Sequence, residues 1–577
     1  MKIRQLAMAN PHIPYLDDKG TFKQLIVHGQ PFLIRGAELQ NSSFSSAKFM
    51  RELWPRLVGM NLNTVLGSIT GEMVEPVEGH FDFSEIDRII LDARNAGLKL
   101  ILLWFGTWKN GMSNYVPSWV KLAPDRFPRV WLQDTGNHLK ATEIITPLCA
   151  ASAEADAKAF ATLMKHLREI DEMHSTVILV QPENECGILG DSRDRSEVAE
   201  IAYAKPVPED LVTFLEQDWD NLNPHLKSHF EMPCRLASGD DRQFTWAETF
   251  GEGPYTDELF MAYHYAKFVD VVATAGKREY PLPMFCNFWQ NYNGEGSDND
   301  FPVLAGGGGM PGDYPSGGGI SNALDIWMRF ATAIDFISPD VYLNYYIHIC
   351  ETYRHRNQPL FIPEQRRDEY GARRLLKAIG SYHAIGACPF GVDSLPEGDI
   401  CAYTRHFELL SHVSDLVLEA QQRPGAIVGF FFDELTEDNM QSGDANTAAS
   451  MGGYQVKIER SFVTGRPGPG YGIVILLQEN GYPNDTKFLL IGQGFQAVFK
   501  SLDPRSYYTG ILKFEKKEFN TSTGKLDTLR RLNGDETRSG QFVIMPNDDP
   551  DYAGFPISIT IPARTRIAEC SIYSLLK

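Results

Sequence analysis

Apolar positions along this chain change period repeatedly between about residue 22 and about residue 420. Short, continuously apolar runs alternate with longer segments whose apolar residues recur every three to four positions. That is the texture of strands covered on both faces alternating with amphipathic helices. Gln24 to Ile34 reads as an opening hairpin turning at Gly29, and Phe32–Glu38 continues inward as a first strand. Further strands are predicted at Asn63–Ser68, Lys99–Phe105, a run ending at Glu185, Met284–Phe288, Asp335–Val341, Pro359–Pro363 and Ala387–Val392. Helices are predicted between them near Ser46–Gly59, from Ser84 as N-cap, at Glu154–Glu172, Asp257–Gly276, Tyr345–Tyr353, Ala372–Ala384 and Phe407–Ala420. Eight such units are the count of a closed (β/α)₈ TIM barrel, an α/β fold. The barrel would occupy residues 1–421, with a polar insertion over 188–255 long enough to be a functional excursion.

After Gln421-Gln-Arg-Pro-Gly425 the pattern shortens. Strand candidates at Ala426–Phe432, Tyr454–Ile458, Gly472–Leu477, Phe488–Ile491, Ile511–Phe514, Phe542–Ile544 and Ile557–Ile561 are separated by Gly, Pro, Asn and Asp. An all-β sandwich over residues 422–577 is the expectation. The glycine-rich tract Ala305–Gly319 lacks the Gly-Lys-Ser/Thr ending of a phosphate-binding loop, and reads instead as a mobile loop over the barrel mouth.

The candidate chemistry lies where two apolar runs close on glutamates: Val177-Ile-Leu-Val-Gln-Pro-Glu-Asn-Glu185 and Pro359-Leu-Phe-Ile-Pro-Glu364. The carboxyl ends of barrel strands are where this architecture carries its active sites. Two carboxylates facing one pocket are the minimal equipment for cleaving a glycosidic bond, about 5–5.5 Å apart if the anomeric configuration is retained. The acid must hold a proton, which burial or a neighbouring negative charge favours. The attacking group must stay ionised, with a tyrosine hydroxyl or Arg366 as the expected support. Asn184 and Glu185 are neighbours, so a bulge or twist is needed for both to reach the pocket. Glu183 is expected one layer deeper on the same side, in an ion pair.

Composition adds exclusions. The 577 residues carry a formal charge of −20, which disfavours nucleic acid and anionic membrane as partners. No run of about 18 apolar residues is present to span a membrane. The first eleven residues lack the apolar core of a signal peptide, which points to the cytoplasm. The eight scattered cysteines read as free thiols, and His225 and His229 as surface residues rather than metal ligands. No cofactor or metal is expected.

Asn184-Glu185 with a strand-seven glutamate resembles the clan A glycoside hydrolases. Within the clan, Phe32-Leu-Ile-Arg-Gly-Ala-Glu38, Phe81-Asp-Phe-Ser84 and Gln181-Pro-Glu-Asn-Glu-Cys-Gly187 are similar to glycoside hydrolase family 35, the β-galactosidases. The divergent bacterial and fungal branch, with Leu103-Trp-Phe-Gly-Thr-Trp-Lys109 after strand three, is nearest. The resemblance implies Glu185 as acid/base, Glu364 as nucleophile, and Asn184 on the sugar 2-hydroxyl. It also implies that Tyr342, at the end of strand six, donates to the nucleophile. Glu38, Glu72 and Asn287 follow other strands and are candidates for gripping sugar hydroxyls; a salt bridge is the alternative for Glu38. Trp108, then Trp104 and Trp289, are candidate stacking platforms. Asp340 and Asp393 are rim carboxylates without an assigned task. The expected activity is retaining exo-hydrolysis of a terminal β-D-galactosyl residue from an oligosaccharide or glycoside, by a possible homo-oligomer. Another β-glycosidase specificity, transglycosylation, or an inactive sugar-binding barrel are the alternatives. Gly71-Glu-Met-Val-Glu-Pro76 and Phe361–Arg367 depart from the family pattern, which bears on sugar preference more than on hydrolysis.

Overall fold

The computed structural model describes residues 10–231, 244–292, 308–434, 447–461, 468–479, 482–548 and 564–577, apart from 11, 344, 397 and 399. Parallel strands Gly36–Glu38, Thr64–Thr70, Lys99–Phe105 and Val177–Pro182 form one ladder. Phe285–Trp289 pairs with Phe336–Asp340, and Phe361–Gln365 with Gly386–Pro389. Three parallel bridges, Val180 to Met284, Val341 to Gln365 and Glu38 to Phe390, join these pieces into a ring. The eight strands thus close a barrel, because every edge finds a partner. Its interior is layered with Ile34, Leu66, Ile101, Leu103, Phe285, Phe336 and Phe361. Leu25 and Val27, from the hairpin Lys23–Val27 and Gln30–Pro31, belong to the same cluster.

Most predicted elements lie within a few residues of their observed bounds, and the differences have physical reasons. The helix Ser84–Asn95 begins where expected, but Ser84 is its first helical residue and Phe83 occupies the cap position. Asp82 accepts the Ser84 amide at 2.9 Å, so the capping oxygen comes from two residues earlier. A hairpin, Arg129–Gln133 with Leu139–Ile145, fills the link between strand three and its helix Ala150–Asp171. The insertion over 188–255 contains helices Glu197–Tyr203, Glu209–Asp218, Pro224–His229 and Trp246–Phe250. It is tied to the helix Pro254–Glu279 by Arg193 and Arg195, both on Asp257 at 3.1 and 3.0 Å.

The glycine-rich tract corrects its sequence reading. Residues 305–307 lie outside the described residues, but 308–319 form a packed plug instead of a mobile cover. Ile188 and Ser316 exchange backbone hydrogen bonds at 3.0 and 2.8 Å, and the Gly317 carbonyl accepts the Trp327 indole at 2.8 Å. Gly187 allows this contact: its φ is +155° and an added Cβ would sit 2.5 Å from the Pro315 backbone.

Beyond the barrel, six antiparallel strands run in the order Ile427–Phe432, Gly470–Glu479, Tyr482–Gln493, Ile567–Leu576, Ser506–Asn520 and Lys525–Leu532. A four-stranded sheet of Thr447–Met451, Tyr454–Arg460, Phe495–Ser501 and Val543–Met545 covers one face. Val474, Phe488 and Leu490 pack between the sheets with Val456, Ile458 and Phe495. The alternate residues Ile473, Ile475, Leu489 and Ile491 join the cluster that holds the barrel helices. Central strands buried on both faces explain the continuous apolar runs there. Gly380 and Gly429 meet backbone to backbone, which seats the helix Glu369–Tyr382 against strand Ile427–Phe432. The candidate Ile557–Ile561 lies outside the described residues.

Candidate active site

Strand four ends at Pro182, and the chain then turns sharply: φ is +61° at Glu183 and +42° at Glu185. Left-handed backbone at two non-glycine residues is costly and concentrates at functional sites. The turn divides the three polar residues. Glu183 forms no ion pair among the described residues, where one was expected. Its carboxylate accepts the backbone amides of Thr107 (3.0 Å) and Trp108 (2.6 Å), fixing the loop after strand three. Strand alternation fails to place it because the strand has already ended. Asn184 is also spent on that loop, donating to the Lys109 carbonyl at 2.9 Å and accepting from Gln181 at 2.7 Å. Glu185 alone projects toward Glu364.

Glu364 lies inside strand seven, where the register shifts between Ile362 and Gln365. Such an irregularity re-aims a side chain. Tyr342 donates its hydroxyl to Glu364 Oε2 at 2.7 Å, and Asn287 Nδ2 donates to Oε1 at 3.3 Å. Asn287 also donates to Asp340 Oδ2 at 2.9 Å and accepts the Glu185 amide at 3.4 Å. One asparagine therefore ties the ends of strands four, five, six and seven together. Carboxylate oxygens of Glu185, Asp340 and Glu364 all lie within 4.8 Å of one another. They are the one set among the described residues close enough to converge on a metal ion. The ammonium of Lys109 sits against the same set, 3.5 Å from Glu185 Oε2.

Electrostatics follow from putting four carboxyls and one lysine in a nearly water-free space. Burial pushes Glu364 up to about 7, partly offset by Lys109 and by the Tyr342 hydroxyl. Glu38 and Asp340 are held well above the ordinary carboxyl range, first by burial and then by the charge of Glu364. Burial alone would lower Lys109, but Glu185, Glu364, Glu38 and Asp340 outweigh it and raise its value. The Tyr342 hydroxyl is likewise raised by burial and by Glu364, so it remains a donor.

The other expected residues divide. Glu38 is fully buried and belongs to this carboxyl group, with no arginine partner; neither of its oxygens meets a donor among the described residues. Glu72 is exposed on the short helix Gly71–Val74 and is not brought into the cluster. Trp108 is 1% exposed, donates to the Ile145 carbonyl at 2.9 Å and packs on Tyr265 and Phe268, so it is a core residue and no sugar platform. Trp104 is equally buried on Asp156; Trp289 is half-buried at the end of strand five. Arg366 pairs with Asp368 and leaves Glu364 to Lys109. Asp393 accepts from Ser43 and Gln40. His229 stacks on Tyr255 and faces Asn322, half-buried instead of at the surface. An open recess of about 450 Å³ lies beside Tyr342, lined also by Gln40, Gln365, Arg366, Arg367 and Phe390.

Sequence reasoning missed Lys109 and left Asp340 without a task. The signal for Lys109 was its place in the loop just past strand three, the same position that drew attention to Trp108.

Residues 47–229 match a family model described as Beta-galactosidase, glycoside hydrolase family 42, and residues 403–544 match a domain of unknown function, DUF5597. Among solved structures, the catalytic domain of β-amylase from Paenibacillus polymyxa aligns at 12% identity and TM-score 0.43, over 63% of this chain and 93% of that one. The β-galactosidase from Bacillus circulans sp. alkalophilus aligns at 13% identity and TM-score 0.41, over 67% of this chain and 57% of that one. That from the psychrophilic Marinomonas ef1 gives 11% identity and TM-score 0.40, over 66% and 60%. No curated protein matches. The match over residues 47–229 makes that part of the barrel similar to glycoside hydrolases, and a β-rich carboxy-terminal region follows it. The family-35 resemblance is not supported at that level. The matching model is of family 42, and it ends before Glu364. No helix among the described residues is long and apolar enough to cross a membrane.

Proposed function

We propose that this chain is a retaining exo-β-glycosidase acting on terminal β-D-galactosides, with Glu364 as nucleophile and Glu185 as acid/base. The observation that carries the reading is the approach of the two carboxylates to within 4.8 Å, with Tyr342 and Asn287 holding one of them. That spacing belongs to double displacement, because inversion needs about 6.5–9.5 Å to admit a water. In the first step Glu185 protonates the leaving oxygen while Glu364 Oε1 or Oε2 bonds to the anomeric carbon. In the second, Glu185 takes a proton from water, whose oxygen displaces Glu364. The galactoside preference is supported by the description of the family model over residues 47–229. A terminal sugar is favoured because the packed 308–319 segment and the residues after Glu185 wall the site.

Nitrophenyl β-galactoside, β-glucoside, β-xyloside and α-arabinoside, assayed on the full chain, test the reading. Hydrolysis of the galactoside with a β-configured first product supports it. Silence across the panel in folded protein rejects hydrolysis of these sugars, and an α-configured first product rejects double displacement.

A further inference from the structure

Among the described residues, Lys109 is the only cation paired with the buried carboxyl cluster. The chain fixes it from both sides: its amide donates to the Ser113 carbonyl at 3.0 Å, and its carbonyl accepts the Asn184 amide at 2.9 Å. The side chain is 9% exposed, and the ammonium lies 3.5 Å from Glu185 Oε2. A charge-assisted bond is normally about 2.7–2.9 Å long, so the cation is not committed to that one carboxylate. Glu364 feels the same ammonium, which is the largest influence opposing burial there. Glu38 on strand one and Asp340 on strand six also act on it, but both favour their protonated forms. Glu183 is spent on the amides of Thr107 and Trp108, and the Tyr342 hydroxyl keeps its proton. The charges left for Lys109 to answer are those of Glu185 and Glu364.

We propose that Lys109 is the shared counter-ion of the reaction, a positioning residue that balances Glu364 in the free enzyme and Glu185 in the glycosyl-enzyme. The proposal rests on the glycosidase reading. In the free enzyme Glu364 is the carboxylate and Glu185 carries the proton. The first step moves that proton to the leaving oxygen as its bond to the anomeric carbon breaks, and Glu364 becomes an ester. Negative charge therefore vanishes from strand seven and appears on the turn after strand four. In the second step Glu185 takes a proton from water, whose oxygen bonds to the anomeric carbon and expels Glu364 as a carboxylate. A buried ammonium without a counter-charge is costly, and so is a buried carboxylate without one. A single fixed cation between the two positions leaves neither charge unanswered at either stage. A permanent ion pair with Glu185 alone would instead hold the acid in its ionised form.

Two pH profiles on the full chain test it, one for each stage. The kcat/KM of dinitrophenyl β-galactoside, whose leaving group needs no proton, reports the free enzyme. Reactivation of the enzyme trapped as its 2-deoxy-2-fluorogalactosyl ester reports the glycosyl-enzyme. In Lys109→Met the acid limb of both profiles should move up by roughly one to two pH units, a loss of about 10–100-fold below the limb. Above the limb both rates should stay within about threefold of wild type. Lys109→Arg keeps the charge and should leave both limbs near their wild-type positions. Lys109→Gln carries the same expectation as Lys109→Met should the apolar side chain not fold. Lower plateaus with unmoved limbs would make Lys109 a sugar contact or a structural support, and would overturn the proposal. Movement of one limb alone would overturn the sharing. Wild-type inactivity on every sugar would instead overturn the glycosidase reading on which the proposal stands.

Discussion

Glu364 and Glu185 are chemically identical, and the barrel treats them differently. Glu364 sits inside a strand, with a strand on each side and two neutral donors on its oxygens. Glu185 stands three residues past its strand, on a left-handed turn, and the partner of its carboxylate is the buried ammonium of Lys109. A group that bonds to carbon must be aimed within a few tenths of an ångström, and hydrogen bonds to both oxygens aim it. A group that passes a proton to one oxygen and takes it from another must be free to move between them. The scaffold holds one carboxylate by two neutral donors and the other by a single cation, which suits the two halves of the proposed double displacement.

Exchanging the two roles is the strongest way to break this comparison. Glu364→Ala should lower kcat on the order of 10⁵-fold whatever the leaving group, because no other aligned carboxylate can take its bond. Glu185→Ala should cost roughly 10²–10⁴-fold on an alkyl glycoside, and little in the first step of a dinitrophenyl glycoside that needs no acid. Azide should rescue Glu185→Gly to the β-glycosyl azide and Glu364→Gly to the α-azide. Identical leaving-group dependence in the two variants would erase the distinction. Tyr342→Phe sharpens it: about a 10²-fold loss of kcat is expected from removing a donor to the nucleophile. That hydroxyl also holds Glu364 down toward about 7, so the acid limb of kcat/KM should move to higher pH in the variant. A limb that stays in place would mean the limb belongs to another group.

The strands bearing these glutamates were legible because burial on both faces leaves an unbroken apolar run, and the chemistry sits where the run stops. The turn at Glu183 and Glu185 was not legible, since no glycine marks the left-handed positions. Lys109 was hidden for a related reason. Its neighbours Gly106 and Gly111 read as loop, and a lysine in a loop looks solvated until Asn184 is seen on its carbonyl and Glu183 on the amides of Thr107 and Trp108 just before it. Trp108 misled in the opposite sense. Its side chain turns away from the mouth into the helix Pro254–Glu279. Trp108→Phe should therefore cost about 2–4 kcal/mol of stability through a void and an orphaned Ile145 carbonyl, with KM unchanged. A several-fold rise in KM without loss of stability would return it to the sugar site.

The smallest effect concerns Glu38, on which the comparison places a cost. Two facing carboxylates have no donor between them, and a proton on Glu38 supplies one, which helps hold Glu364 down. Glu38 itself is raised by burial and then by Glu364, with Lys109 opposing. A carboxyl whose folded value exceeds its unfolded value of about 4.3 adds stability that is complete below that value. The contribution is lost as pH rises through the folded value. Asp340 carries the same sign, and so does Glu364 at about 7. The melting temperature of the unliganded protein should therefore decline as pH rises past 7. Glu38→Gln removes one of the three groups and keeps a donor toward Glu364, so it should flatten that decline by a few degrees and leave the acid limb of kcat/KM in place. Glu38→Ala should flatten the decline equally but move the limb upward, because the donor is gone. If both variants melt with the wild-type pH dependence, Glu38 is ionised in the folded chain, and the cluster carries one more negative charge than the unlike surroundings of Glu185 and Glu364 allow.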